Sequence, residues 1–125
     1  MKKLVVILPL MLASIVGSLA STQQAFATAA NKLGDLASFQ TIANDTLSLV
    51  DKGDLASAQK RITDFETAWD RAEPDLYPKD KTAWGAIDDA ADGAISSLRA
   101  AKPSKSKAHA AVQDLISSIN RQNTL

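Results

Sequence analysis

Two amphipathic helix patterns joined by one short loop constrain the fold of this chain more than any other feature. The first spans residues 54–73 and the second 80–101, and in both the apolar residues recur at alternating steps of three and four. That spacing puts the apolar side chains on one face of a helix, where they can pack against a neighbour. Because the loop at 74–79 is short, the two helices should be antiparallel neighbours.

Local signals define the ends of both patterns. Asp54 and Asp80 each precede a pattern and can act as N-caps that accept hydrogen bonds from free backbone N–H groups. Proline cannot continue a helix, so Pro74 predicts an end at Glu73, and Pro103 ends the second pattern.

Both tryptophans lie within this pair. Trp69 comes about one turn before the loop and Trp84 about one turn after it. The two indoles should therefore share one layer, with Tyr77 of the loop covering it. Core packing is one interpretation of this group, and a ligand pocket is the other. Trp69, Tyr77 and Trp84 are accordingly candidate contacts for a ligand or a partner.

A helix pattern at about 29–51 precedes the pair. Gly34 would destabilise a helix interior, so a start capped at Asp35 is the alternative to a start near 29. Gly53 suits the left-handed position that ends a helix. The apolar face of this pattern consists of Leu33, Leu36, Phe39, Ile42, Ala43, Leu47 and Val50.

A final helix pattern covers about 105–121, with Ser104 or Ser106 as its cap. Four amphipathic helices, short connections and no strand pattern predict an all-α fold. The expected architecture is an up-down-up-down four-helix bundle over residues 28–125.

Residues 1–27 are typical of a cleavable secretory signal peptide. Two lysines begin the segment, residues 4–16 are apolar, and small residues surround the expected cleavage point after Ala27. Cleavage after Ala20 is the alternative. The apolar run is shorter than the roughly 20 residues that a membrane-spanning helix needs. We therefore expect a periplasmic or secreted bacterial protein without a transmembrane segment after cleavage.

Composition narrows the function further. Cleavage removes two of the 14 basic side chains, which leaves 12 against 14 acidic ones and a net charge of −2. That balance does not favour nucleic-acid binding. The chain has no cysteine, so the domain must be held together by helix packing without disulfides.

The common catalytic motifs are missing from the sequence. There is no cysteine nucleophile, no Gly-x-Ser-x-Gly, no His-Glu-x-x-His and no phosphate-binding glycine loop. His109 is the single histidine, whereas a di-metal site in a bundle would use Glu-x-x-His motifs. We therefore expect no enzymatic activity and no cofactor.

Two charged regions are candidate ligand sites. Asp88 and Asp92 are four residues apart on one helix face, where their like charges repel and a metal ion would relieve them. The alternative is an exposed acidic face paired with Arg61 or Arg71. Asp88 also borders the apolar stripe, one turn after Trp84.

Lys105 and Lys107 lie in the first turn of the last helix, where the helix dipole favours acids instead. Free N–H groups and cations together can hold a phosphate, a carboxylate or a lipid headgroup. The alternative is a solvated surface with Asp51 and Asp54 as ion-pair partners.

Three segments of the middle of the chain form a shared pattern: Gly53-Asp54-Leu55 with Ala58, Arg61 and Ile62, then Phe65-Glu66-Thr67-Ala68-Trp69-Asp70, then Trp84-Gly85-Ala86-Ile87-Asp88 with Leu98-Arg99. With these segments the chain resembles small secreted proteins of proteobacteria, over roughly residues 45–118. These proteins are mostly uncharacterised, and some bear an automatic histidine-kinase label. The sequence has no ATP-binding glycine boxes, and Ala108-His109-Ala110 lacks the acidic residue and proline usual around a phosphorylated histidine. The resemblance therefore implies at most a periplasmic accessory or sensor module and no catalytic residue.

Together these patterns predict a non-catalytic binding protein. The first hypothesis is a protein-interaction or accessory sensing module whose partner is an envelope protein, with homodimerisation as a further option. It predicts an apolar surface patch around Leu76 and Tyr77. The second hypothesis is a small-ligand binder, for a metal at Asp88 and Asp92 or an anion at Lys105 and Lys107.

Overall fold

The computed structural model describes residues 32–124 of the 125-residue chain. The predicted signal peptide and both candidate cleavage points lie outside these residues. The described range is all-helical and contains no strand, as the sequence predicted. Its helices are α1 (Ala37–Asp51), α2 (Leu55–Leu76), α3 (Lys81–Arg99) and α4 (Lys105–Thr124).

The four helices surround one hydrophobic core. Each packs against the next in sequence, and α1 also packs against α4, so the helices close into a bundle. The periodic apolar residues of all four patterns supply the interior, together with Thr46, whose hydroxyl donates to the carbonyl of Ile42 at 2.8 Å. The largest fully buried side chains include Trp69, Phe65, Leu33, Leu36, Ile62, Ile87, Leu98, Leu115 and Ile119.

The predicted caps of α2 and α3 are confirmed. The Asp54 carboxylate accepts from the backbone N–H of Ser57 at 3.1 Å, and the Asp80 carboxylate accepts from that of Ala83 at 3.0 Å. Gly53 has a φ of 80°, the left-handed conformation that glycine adopts without steric cost. The turn before α2 is therefore fixed by its local sequence.

Helix α1 begins at Ala37, later than the expected start near 29. Gly34 has a φ of 85°, which a continuing helix cannot include. Asp35 accepts from the N–H of Ala37 at 2.9 Å and so stabilises the new start. Leu33 and Leu36 are nevertheless buried, because the non-helical segment before α1 packs against the core.

Helix α2 continues through Pro74 to Leu76, so the predicted end at Glu73 is wrong. Proline removes one N–H and crowds the carbonyl four residues earlier, but this site is close to the helix end. The next turn still closes, since the N–H of Tyr77 donates to the carbonyl of Glu73 at 2.9 Å. Burial of Leu76 in the core favours this extra turn.

The last two helices also differ from their predicted ends. Helix α3 stops at Arg99, two residues before the predicted limit, because Ala100 adopts an extended conformation with ψ 152°. Helix α4 continues to Thr124 beyond the expected end at Arg121. Ser104 is the cap of α4, since its hydroxyl accepts from the N–H of Lys107 at 3.4 Å.

Candidate functional site

The aromatic residues of α1, α2 and α3 form one continuous cluster near the α2–α3 connection. Trp69 is 1% exposed and stacks on Trp84 with ring centroids 5.5 Å apart and planes 14° apart. On its other side Trp69 contacts Phe65 at 5.8 Å and Phe39 at 5.1 Å. The two indoles therefore share one layer, as their positions in the sequence predicted.

Tyr77 carries this aromatic cluster to the surface. Its ring meets Trp84 edge-on at 5.3 Å, and it remains 38% exposed. The ammonium of Lys81 lies 5.5 Å from the centroid of Tyr77, within the range of a cation–π interaction. Leu76 was expected to share an exposed patch with Tyr77, but it is buried. The exposed apolar surface here is thus the edge of a rigid aromatic stack.

Asp88 joins the aromatic cluster to the acidic residues of α3. The indole N–H of Trp69 donates to the Asp88 carboxylate at 3.2 Å. Partial burial raises the pKa of Asp88 above its usual value, the negative charge of Asp92 raises it further, and the Trp69 hydrogen bond opposes both effects. Ionised Asp88 is therefore held in place at an electrostatic cost.

Asp88, Asp89 and Asp92 form an acidic cluster whose carboxylate oxygens can all lie within 4.8 Å of one another. Hard divalent cations prefer oxygen ligands of this kind. Asp89 and Asp92 are exposed, and Asp88 is half-buried. The geometry therefore brings the two predicted metal ligands together and adds Asp89, which the sequence pattern had not singled out as a ligand.

The acidic cluster is not paired with Arg61, one of the two partners suggested by the sequence. Arg61 instead donates to Asp45 of α1 at 2.8 Å and to Asp64 of its own helix at 3.1 Å. Arg71, the other suggestion, belongs to none of the ion pairs found in residues 32–124. The suggested pairing of Arg61 with the acidic face of α3 is therefore wrong, because the packing of α1 against α2 and the spacing within α2 supply Asp45 and Asp64 instead.

Trp84 differs from Trp69 in the surroundings of its indole N–H. The Nε1 atom of Trp84 is buried and has no hydrogen-bond acceptor within the described part of the chain. A buried donor without an acceptor costs about 1–3 kcal/mol. Nothing in the spacing of apolar residues indicated this difference between two stacked tryptophans.

The predicted anion site lies at the opposite end of α3, where α4 begins. Lys105 and Lys107 are exposed in the first turn of α4, and neither enters an ion pair with residues 32–124. Asp51, expected to pair with them, instead contacts His109, with its Oδ1 2.7 Å from the histidine Nδ1. The two lysines are therefore free to meet solvent ions but have no enclosed site around them.

Arg99 is the last residue of α3, where a cation complements the helix dipole. It also links that end to α2, since its guanidinium donates to Glu66 at 2.8 Å and to the hydroxyl of Thr63 at 3.1 Å. These charge-assisted hydrogen bonds raise the pKa of Arg99. Arg99 is thus a cross-helix contact that its position in the sequence did not reveal.

Two open surface depressions are lined by none of the site residues predicted from the sequence. One, of about 350 Å³, is lined by Lys32, Asp80 and Gln122 among others, and the Lys32 ammonium is 3.9 Å from the Asp80 carboxylate. The other, of about 370 Å³, includes Lys52 and the Arg61–Asp45 pair. Both are mixed in polarity, and neither encloses a set of convergent catalytic groups.

Comparison with protein-family models, curated proteins and solved structures finds no match to this chain. The resemblance to small secreted proteobacterial proteins therefore remains a prediction from the sequence. None of the helices described between residues 32 and 124 is long and apolar enough to cross a membrane.

Proposed function

We propose that this protein is a non-catalytic periplasmic protein-interaction or accessory sensing module, with an envelope protein as its partner. The observation that carries the proposal is Tyr77. It is an exposed aromatic residue fixed on a rigid stack that runs through Trp84 and Trp69 into the core. A pre-ordered aromatic side chain loses little conformational entropy on binding, which is why tyrosine and tryptophan dominate binding hot spots.

The wider setting of this proposal comes from the sequence. The signal-like segment at 1–27 supports export to the periplasm and its own removal by cleavage.

We further propose the up-down-up-down order for the bundle. It is supported by contacts that join the start of α1 to the end of α4, through Gln40 and Asn120, and the end of α1 to the start of α4, through Asp51 and His109.

Site-specific photocrosslinking in the periplasm tests the interaction directly. A photoreactive amino acid at Tyr77 should give a discrete adduct with one envelope protein. The matched control places the same group at Gln113, which is exposed on α4. Adducts only with abundant bystanders, or the same adducts from both positions, would reject the interaction function.

A small-ligand binder remains the second candidate because the oxygens of Asp88, Asp89 and Asp92 lie within 4.8 Å. A ligand at a hundred times its dissociation constant adds about 2.7 kcal/mol of stability. A domain of this size gains about 4–8 °C in melting temperature per kcal/mol. A shift above about 10 °C with one metal, lost on Asp88→Asn, would favour this candidate, whereas a flat panel of metals and small anions would oppose it.

A further inference from the structure

The exposed edge where α2 meets α3 carries an acidic seam. On α2, Glu66, Asp70, Glu73 and Tyr77 follow one another at steps of four, three and four, which places them along one side of the helix. Asp88 and Asp92 face them from α3. We define the acidic seam as Glu66, Asp70, Glu73, Asp88 and Asp92, with Tyr77 at one end.

Contacts between the helices show that the two sides of the seam are close. Trp69 of α2 donates to Asp88 of α3, and the charge of Asp70 acts on Asp88 across the same junction. Tyr77 packs edge-on against Trp84 at the end of the seam nearest the loop. The acidic side chains from two helices therefore form one surface.

Negative charge on the seam is largely uncompensated within the bundle. Arg99 pairs with Glu66 at 2.8 Å, but Asp70, Glu73, Asp88 and Asp92 enter no ion pair with residues 32–124. Like charges this close repel one another, and after partial burial this repulsion by Asp92 and Asp70 is a further cause of the raised pKa of Asp88. A cationic partner would relieve that repulsion, so its attraction to the seam should exceed that of an isolated surface ion pair.

The Tyr77 ring at the end of the acidic seam favours a guanidinium group over an ammonium group. Its ring already has an ammonium, from Lys81, 5.5 Å from its centroid and still leaves 38% of the residue exposed. Guanidinium groups stack on aromatic faces and bind carboxylates with two parallel hydrogen bonds, whereas an ammonium does neither as well. An aromatic edge beside a row of carboxylates is thus complementary to arginine.

We propose that the acidic seam is a docking surface for a basic, arginine-containing segment of a partner protein. This inference rests on the proposed interaction function and names the chemistry of its partner. Arginines of the segment pair with Asp70, Asp88 and Asp92, and one of them stacks on Tyr77. Electrostatic attraction across the seam accelerates association and weakens as salt screens the charges.

Fluorescence anisotropy with a labelled peptide of alternating arginine and leucine tests the docking chemistry on the signal-cleaved protein. A peptide of the same length with glutamate in place of arginine is the probe control. We expect binding of the arginine peptide only, with affinity falling as salt is added. The double variant Asp70→Asn/Asp92→Asn should weaken binding roughly tenfold.

The matched control is Asp64→Asn/Asp114→Asn, which removes the same charge outside the seam. Asp64 is partnered by Arg61, which keeps its 2.8 Å contact with Asp45, and Asp114 is exposed on α4. This control should bind like the wild type. Tyr77→Ala should weaken the arginine peptide more than a matched lysine peptide, since stacking favours guanidinium.

Equal losses in the two double variants would show attraction to overall charge alone and would overturn the proposal. Calcium binding that needs Asp88 and Asp92, combined with no peptide binding, would overturn it in favour of a metal site. If crosslinking from Tyr77 captures one partner while the peptide fails to bind, the interaction function stands and the basic partner is wrong. If the peptide binds through the seam but crosslinking is negative, the docking chemistry stands and the Tyr77-centred interaction function fails.

Discussion

The two ends of the bundle differ in how their charged side chains are arranged. At the end where α4 begins, Arg99 forms an ion pair with Glu66 of α2 and Asp51 contacts His109 of α4, while Lys105 and Lys107 are exposed to solvent. At the aromatic end, acids crowd over the stacked tryptophans, and Asp88 holds its charge at a cost. The ion pair of Arg99 with Glu66 links two helices of the bundle. The unpaired acids near Trp69 lie over the aromatic cluster, where a partner can reach them.

The strongest test of this contrast removes the aromatic support. Trp69→Ala deletes a side chain that is 1% exposed and stacked on Trp84. Buried tryptophan-to-alanine changes cost about 3–5 kcal/mol, so chemical denaturation should show a loss of that size. Tyr77→Ala, at the exposed end of the same cluster, should cost less than about 1 kcal/mol. Equal losses of unfolding free energy in Trp69→Ala and Tyr77→Ala would mean that the buried Trp69 does not stabilise the cluster more than the exposed Tyr77 does.

The lysines at the start of α4 offer a test at the other end. Acidic residues are favoured in the first turn of a helix by about 0.3–1 kcal/mol each. Lys105→Glu/Lys107→Glu should therefore raise the melting temperature by a few degrees while weakening any anion binding about tenfold. The control Lys102→Glu, which lies outside α4, should not stabilise the helix in this way. A destabilised double variant would show that the two lysines have structural partners in solution.

Asp88→Asn should stabilise the bundle at neutral pH. The variant removes a carboxylate that is partly buried and that repels Asp92, and its amide oxygen can still accept from Trp69. A like-charge pair at this helical spacing costs about 0.2–0.5 kcal/mol, so the gain should be of that order.

The pH dependence of this gain has a definite sign. Because the folded-state pKa of Asp88 is raised, ionisation at neutral pH opposes folding, and protonation removes the penalty. The wild type should therefore approach the stability of the variant as pH falls through the raised pKa toward the ordinary value of 3.8. Melting curves of both proteins across that range measure this, and a gap that widens on acidification would contradict it.

Features that depend on a few neighbouring residues were predictable from sequence. Asp54 and Asp80 were identified as caps because capping involves groups three residues apart. The shared layer of Trp69 and Trp84 followed from helical spacing and a short loop. Local periodicity was enough to predict the all-helical fold and to place Asp88 beside the apolar stripe.

Features that depend on contacts between distant segments were not predictable in the same way. From the sequence alone, Arg61 could pair with any of several acidic residues. Only the packing of α1 against α2 places Asp45 next to it. The extension of α2 through Pro74 depends on Leu76 finding space in the core. The acidic seam likewise requires knowing which sides of α2 and α3 meet.

The two tryptophans provide the finest test, because they stack on each other but differ in one hydrogen bond. Trp69→Phe removes the donor to Asp88, and a hydrogen bond to a charged group contributes about 1.5–3 kcal/mol. Trp84→Phe removes a buried donor that has no acceptor among residues 32–124, which offsets the loss of ring area and should change stability by less than about 1 kcal/mol. Chemical denaturation of the two variants side by side measures the difference. A loss for Trp84→Phe as large as that for Trp69→Phe would show that the Trp84 N–H has an acceptor in solution. In that case a hydrogen bond would fix the Trp84 indole as it fixes Trp69, and Tyr77 would pack against a ring that is itself held by a hydrogen bond.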